Sequence, residues 1–97
     1  MTKARTEVQN FTSPGHVQQV DSEKYNATRI AYLSVLTSSE PGMTPAEIKA
    51  LLLPALPQDL FPGGDKAGWW AKCVQLDLEA KGVIVRSPTS PVRLRKT

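Results

Sequence analysis

The chain has 97 residues, 40% of them hydrophobic and 22% charged, which suits one domain with a modest core and argues against wholesale disorder. No apolar run approaches the roughly 18–20 residues that cross a bilayer, Met1 to Asn10 is polar where a signal peptide would be apolar, and the single cysteine forbids an internal disulfide, so a cytoplasmic location is expected. The formal charge of +3 is uneven: residues 1–79 hold seven Lys/Arg against nine Asp/Glu, while residues 80–97 hold five Lys/Arg and no acid.

Residues 1–6 read as a flexible tail, followed by a single domain over 7–97. Glu7 to Phe11 and His16 to Val20 flank Ser13-Pro14-Gly15-His16, and a Pro-Gly pair suits the centre of a tight turn, so an N-terminal β-hairpin is expected. Asp21-Ser22 offers capping side chains, and Glu23 suits the positive end of a helix dipole. The spacing predicts a helix over about 22–37, with Tyr25, Tyr32, Leu33 and Leu36 on one face and Ile30 widening it. Glu40-Pro41-Gly42 then reads as a turn.

Thr44-Pro45-Ala46-Glu47 is the clearest local signal. Threonine can cap, proline suits the first helical position, and Glu47 can reach back to complete a capping box. A second helix is therefore expected over about 45–53, with Ile48, Leu51 and Leu52 on one face and Pro54 stopping or kinking it. Pro54 to Gly64 is proline- and glycine-rich, but Leu56, Leu60 and Phe61 suggest a segment packed down onto the core.

Asp65 reads as the cap of a third helix over about 66–81. At roughly 100° per residue, Trp69, Cys73, Leu76 and Ala80 share one side, extended by Trp70, Ala71, Val74 and Leu78. Gly68, Lys72, Gln75 and Glu79 form the opposite, wet stripe. Gly82 suits the left-handed residue that closes a helix. Val83 to Arg86 and Val92 to Arg95 then read as two strands joined by Ser87 to Pro91, with Arg93 and Arg95 pointing away from Val92 and Leu94.

The fold class expected is thus α+β, three helices closed by a C-terminal hairpin. Thr44-Pro45-Ala46-Glu47-Ile48 and Leu76 to Ile84 resemble the helix start and the helix-to-wing join of the winged-helix superfamily. That likeness implies a winged-helix-like domain over about 22–96, although a join of about eleven residues replaces the usual three or four. The combination of Pro14-Gly15, Lys24-Tyr25, Phe61-Pro62-Gly63-Gly64 and Gly68-Trp69-Trp70 further resembles a group of small bacterial proteins without known function.

Catalytic chemistry finds little purchase. Cys73 would need a base, the only histidine is His16 in a turn, and one Cys with one His cannot make a usual zinc site. Gly63-Gly64-Asp65-Lys66 lacks the spacing of a phosphate loop. Asp77 and Glu79 lie about 160° apart around a helix and cannot share a substrate. An ion pair of Asp77 with Lys81 or a wing arginine is the simpler expectation. No catalytic residue, metal, cofactor or small-molecule substrate is expected.

Trp69 and Trp70 invite a base-stacking role, set against the payload that tryptophan brings to a small core, with one ring inside and the other against Phe61 or Leu60. The remaining candidates are basic or amide groups. Lys72 and Gln75 on the wet stripe could read base edges of double-stranded DNA, with Arg86, Arg93, Arg95 and Lys96 of the wing on phosphates. A protein partner on the same fold, met by Leu56, Leu60, Phe61 and a tryptophan, is the alternative.

Overall fold

The computed structural model describes residues 4–13, 15–88 and 91–97. It holds two antiparallel hairpins around three α-helices and no helix long and apolar enough to cross a membrane among those residues. The expected α+β class and element order are therefore present.

Strand β1, Arg5–Gln9, pairs with β2, Val17–Asp21, in the register Thr6 to Val20 and Val8 to Gln18. The strand thus starts inside the stretch expected to be tail. Ser22 N–H donates to Ala4 O at 3.0 Å and the Thr6 and Ser22 hydroxyls meet at 2.6 Å, fixing this end to the helix start. His16 N–H closes the turn onto Ser13 O, while Pro14 of that expected turn lies outside the described residues.

Helix α1, Ser22–Val35, is capped by Asp21, whose carboxylate accepts from Lys24 N–H at 3.0 Å. Its buried face is Tyr25, Thr28, Ala31 and Tyr32, one row of the helical period. Ile30, expected to widen that face, is exposed. Helix α2, Pro45–Ala55, begins with the full capping box: Glu47 N–H donates to Thr44 Oγ1, and Thr44 N–H to Glu47 Oε1. Ile48 and Leu52 face the core while Leu51 is exposed, and the helix runs one residue past Pro54.

The connection that follows is packed, as its apolar residues suggested: Leu56 and Phe61 are buried and Leu60 half-buried. A short 3-10 turn over Pro62–Gly64 ends with Asp65 N–H donating to Pro62 O. Asp65 is thereby used up in that turn and does not cap the third helix. Lys66 takes the cap position at φ 57°, and α3 runs Ala67–Ala80. Gly82, at φ 75°, closes α3 as expected, with Gly82 N–H to Glu79 O and Val83 N–H to Leu78 O forming a Schellman ending.

Strands β3, Ile84–Ser87, and β4, Arg93–Lys96, form the second hairpin one residue later than expected. Thr89 and Ser90 of its expected loop lie outside the described residues. The other edge of β4 takes a bridge from the α1–α2 connection: Met43 N–H and Leu94 N–H each donate to the other's carbonyl, at 2.8 and 2.7 Å. This approach explains Gly42, where a Cβ would stand 2.6 Å from Leu94 O. The core lies where α1 and α2 meet α3 under β3 and β4, with Tyr32, Leu52, Val74, Leu78, Ile84 and Leu94 at its centre.

Candidate binding surface

The register of β3 and β4 splits the basic residues expected to act together. Arg86 stands opposite Leu94, and Lys96 opposite Ile84, so these four share the core-side face. Arg93 and Arg95 lie on the other. Arg86 is held bidentately, its Nε donating to Glu79 Oε2 at 2.6 Å and its NH2 to Oε1 at 3.0 Å. The same carboxylate accepts from Gln75 Nε2 at 2.8 Å. The hydrogen bonds to Glu79 raise the Arg86 pKa, and Arg86 also covers the Phe11 ring at 5.0 Å.

Gln75 and Glu79 are therefore not on a wet stripe. They are 3% and 6% exposed, sunk between the body of the domain and the β3–β4 hairpin, and Gln75 cannot reach a base edge as placed. Arg86 is withdrawn likewise, because freeing it would leave a buried carboxylate unpaired. Lys96 donates to Leu33 O at 3.1 Å, on the last turn of α1, where a cation suits the helix dipole. Arg93 meets Gly42 O at 3.2 Å and Glu47 at 3.6 Å, and Arg95 meets Glu40 at 3.3 Å. Glu40 and Glu47 are exposed. Such pairs contribute about 0–1 kcal/mol and can be exchanged.

The side of α3 assigned to the core from its periodicity is also displaced. Trp70, at 6% exposure, packs its ring edgewise on Phe61 at 6.4 Å, whereas Trp69 is 49% exposed and meets Trp70 edgewise at 5.0 Å. The N-terminal hairpin lies along the flank of α3 that carries Trp69, Cys73 and Leu76. Phe11 N–H donates to Leu76 O at 3.2 Å and Gln9 N–H to Asp77 Oδ1 at 2.8 Å. Between them runs a groove of about 140 Å³, walled by Val8, His16 and Gln18 on the hairpin side.

Asp77 is fully buried beneath this junction. It accepts from Gln9 N–H, from the Tyr25 hydroxyl and from Lys81 Nζ at 3.0 Å. The expected pair with Lys81 is present. The links to β1 and α1 come from partners far away in sequence, which helical spacing could not show. Burial first, and the Asp77 hydrogen bond second, raise the Tyr25 pKa.

Cys73 is half-buried in the groove rather than enclosed in the core. Desolvation, then the Asp77 charge, pushes its thiol up to about 11. Native protein at about pH 8 should thus alkylate roughly a hundredfold more slowly than the unfolded chain, since the thiolate is the nucleophile. The rate should go on climbing toward pH 11. Labelling as fast as in urea would show that the hairpin leaves this flank of α3 open.

Around the first turns of α3 stand four lysines, from α1, α2 and α3 itself. Lys66 and Lys24 border a hollow with Trp69 and Trp70. Lys49 of α2 reaches across to Gly68, its Nζ 3.3 Å from where a Cβ would stand, and Lys72 is exposed one turn on. No ion pair involves Lys24, Lys49, Lys66 or Lys72 among the described residues. Lys66 is also the only non-glycine residue at positive φ among them.

No curated protein and no solved structure matches the chain. A family model does, over residues 5–94, which takes in the N-terminal hairpin, all three helices, β3, the first half of β4 and the lysine-rich face. The protein therefore belongs to DUF6958, a family of unknown function.

Proposed function

We propose that this is a binding protein of winged-helix-like architecture, without a catalytic role, that contacts nucleic acid through the first turns of α3. The element order supports the architecture: α1, a bridge at Met43, α2, α3, then β3 and β4, with β4 taking the bridge. Contact with nucleic acid is supported by one observation. Lys24, Lys66 and Lys72 line hollows shared with exposed Trp69, and Lys49 stands beside Gly68, all without an ion pair among the described residues, while the wing arginines are held by Glu40, Glu47 and Glu79. Free lysines can release counterions from a phosphate backbone without first giving up a partner.

The test is a titration of DNA oligonucleotides, single-stranded and duplex, at two salt concentrations. About four phosphate contacts give a log–log salt slope near −3 to −4. Lys66→Glu/Lys72→Glu should abolish low-salt binding to both forms, whereas Arg93→Ala/Arg95→Ala should flatten the slope by about one unit per arginine at most. Absence of low-salt binding by the wild type, or loss through the wing pair alone, would overturn this assignment.

A protein-interaction module is the second reading. Of the patch expected for it, Leu56 and Phe61 are buried, leaving half-buried Leu60 and exposed Trp69. Phe11 and Val17 also stand exposed on the N-terminal hairpin beside a hollow that shares Gln9, Asn10 and His16 with the α3 groove. Val17→Asp should disrupt such an interface and leave oligonucleotide binding unchanged.

A further inference from the structure

We infer that Trp69 is a stacking platform for an unpaired base, so that the protein prefers single-stranded nucleic acid to duplex; this rests on the proposal that the lysine face binds phosphate. Reading a duplex by a helix in the major groove needs an exposed helical face that projects into a cleft roughly 12 Å wide and 8.5 Å deep. Helix α3 lacks one. Its C-terminal half has Gln75, Asp77 and Glu79 buried, β1 along one flank and Arg86 closing another. Apart from its last residue, Ala80, only Trp69 and Lys72 are exposed, within one turn that spans roughly 6 Å from Gly68 to Lys72 at 1.5 Å per residue.

What that turn presents is a half-exposed indole, Trp69. The Trp69 ring is anchored edgewise against Trp70, which is itself fixed by Phe61, so its orientation is set before anything binds. A half-exposed indole adds little to the core, but an aromatic face stacks on any base and contributes about 1–3 kcal/mol per base.

Trp69 shares one hollow with Lys24 and Lys66 and the α3 groove with Lys72. Lys72 also borders a further hollow of about 120 Å³ between α2 and α3, lined by Lys49 and Tyr32 as well. The Tyr32 hydroxyl is buried and has no hydrogen-bond partner among the described residues. A strand crossing α3 at Trp69 therefore meets cations before and after the stacked base, with a phosphate between Lys49 and Lys72. Asp65, exposed beside Lys66, works against an anion there and is open to screening by salt. An acidic peptide would satisfy the lysines but has no need of the ring.

The experiment uses the full chain with three probes at matched salt: a thymidine strand of about 12 nucleotides, a duplex hairpin of equal charge, and an abasic strand of equal length. Trp70 is buried, so quenching of tryptophan fluorescence reports Trp69, checked with Trp69→Phe. The thymidine strand should bind at least about tenfold tighter than either other probe and quench the fluorescence. Trp69→Ala should weaken it by about 5- to 150-fold, the factor equivalent to losing one stacked base, while leaving duplex and abasic binding unchanged. Lys49→Ala should weaken all probes alike.

Equal affinity for thymidine and abasic strands, or no effect of Trp69→Ala, would overturn the stacking site. Competition by polyglutamate as strong as by the thymidine strand would assign the face to an acidic protein partner instead. If the thymidine strand binds through Lys66 and Lys72 without quenching Trp69, only the stacking inference falls. If no probe binds, the proposed function falls with it.

Discussion

Replacing Asp77 with alanine is expected to destabilise the domain by about 3–5 kcal/mol, the range for removing one partner from a buried charged cluster. The loss is large because one carboxylate serves three elements. Without it the buried Tyr25 hydroxyl of α1 faces a cavity with the desolvation penalty of an unpaired group, and the part-buried Gln9 N–H of β1 loses its partner. Lys81 loses less, since it is partly exposed and can turn to water. A small domain has about 5–15 kcal/mol in total, and each kcal/mol moves the midpoint about 4–8 °C at this size. Asp77→Asn keeps the volume and an acceptor, and should cost well under the alanine variant. Urea denaturation of the two variants checks both numbers. A loss below about 1 kcal/mol for Asp77→Ala would mean that the hairpin is not tied to α3 through this residue.

Local chemistry made much of the fold legible. The capping box at Thr44, the cap at Asp21 and the Gly82 stop are each written within a few residues, and each stands where the sequence placed it. Asp65 misled because two adjacent punctuations competed: Pro62-Gly63-Gly64 formed a turn that took its N–H and moved the helix start by one residue. The register of the C-terminal hairpin was legible in its alternation, but not which of its cations had partners. Glu40 and Glu47, which hold Arg95 and Arg93, come from the far side of the chain.

Helix α3 is the more instructive failure. A helical wheel presumes one apolar and one wet side, but α3 is enclosed on several sides by the N-terminal hairpin, α1, α2 and β3. Polar residues at 75, 77 and 79 are tolerated inside because they are satisfied: Gln75 and Glu79 by each other, Glu79 also by Arg86, and Asp77 by the distant Tyr25 and Gln9. Burial of three such groups leaves the true wet stripe narrow, and the apolar Trp69 falls on it. The candidate surface thus shifts from the C-terminal hairpin to the first turns of α3, keeping Lys72 from the sequence-derived set and gaining Lys24, Lys49 and Lys66.

The two tryptophans should separate stability from binding. Trp70→Ala is expected to cost about 3–5 kcal/mol, the usual loss for truncating a buried tryptophan, because the ring fills the space between Phe61 and the body of α3 and only 6% of it is exposed. It also holds down the long connection: Phe61 is otherwise anchored by its N–H to Pro57 O, and a void beside its ring would loosen the segment between α2 and α3. A loss of that size should lower the thermal midpoint by some tens of degrees in a domain of this length. Trp69→Ala removes a ring already half in water, whose main contact is the edge of Trp70, and should cost about 1 kcal/mol or less, in line with a single aromatic pair. Differential scanning calorimetry of both variants measures the contrast directly. Equal destabilisation would show that Trp69 is a packing residue whose exposure serves no partner, whereas a stable Trp69→Ala domain is the condition under which its loss of single-strand binding can be read as loss of a stacking contact.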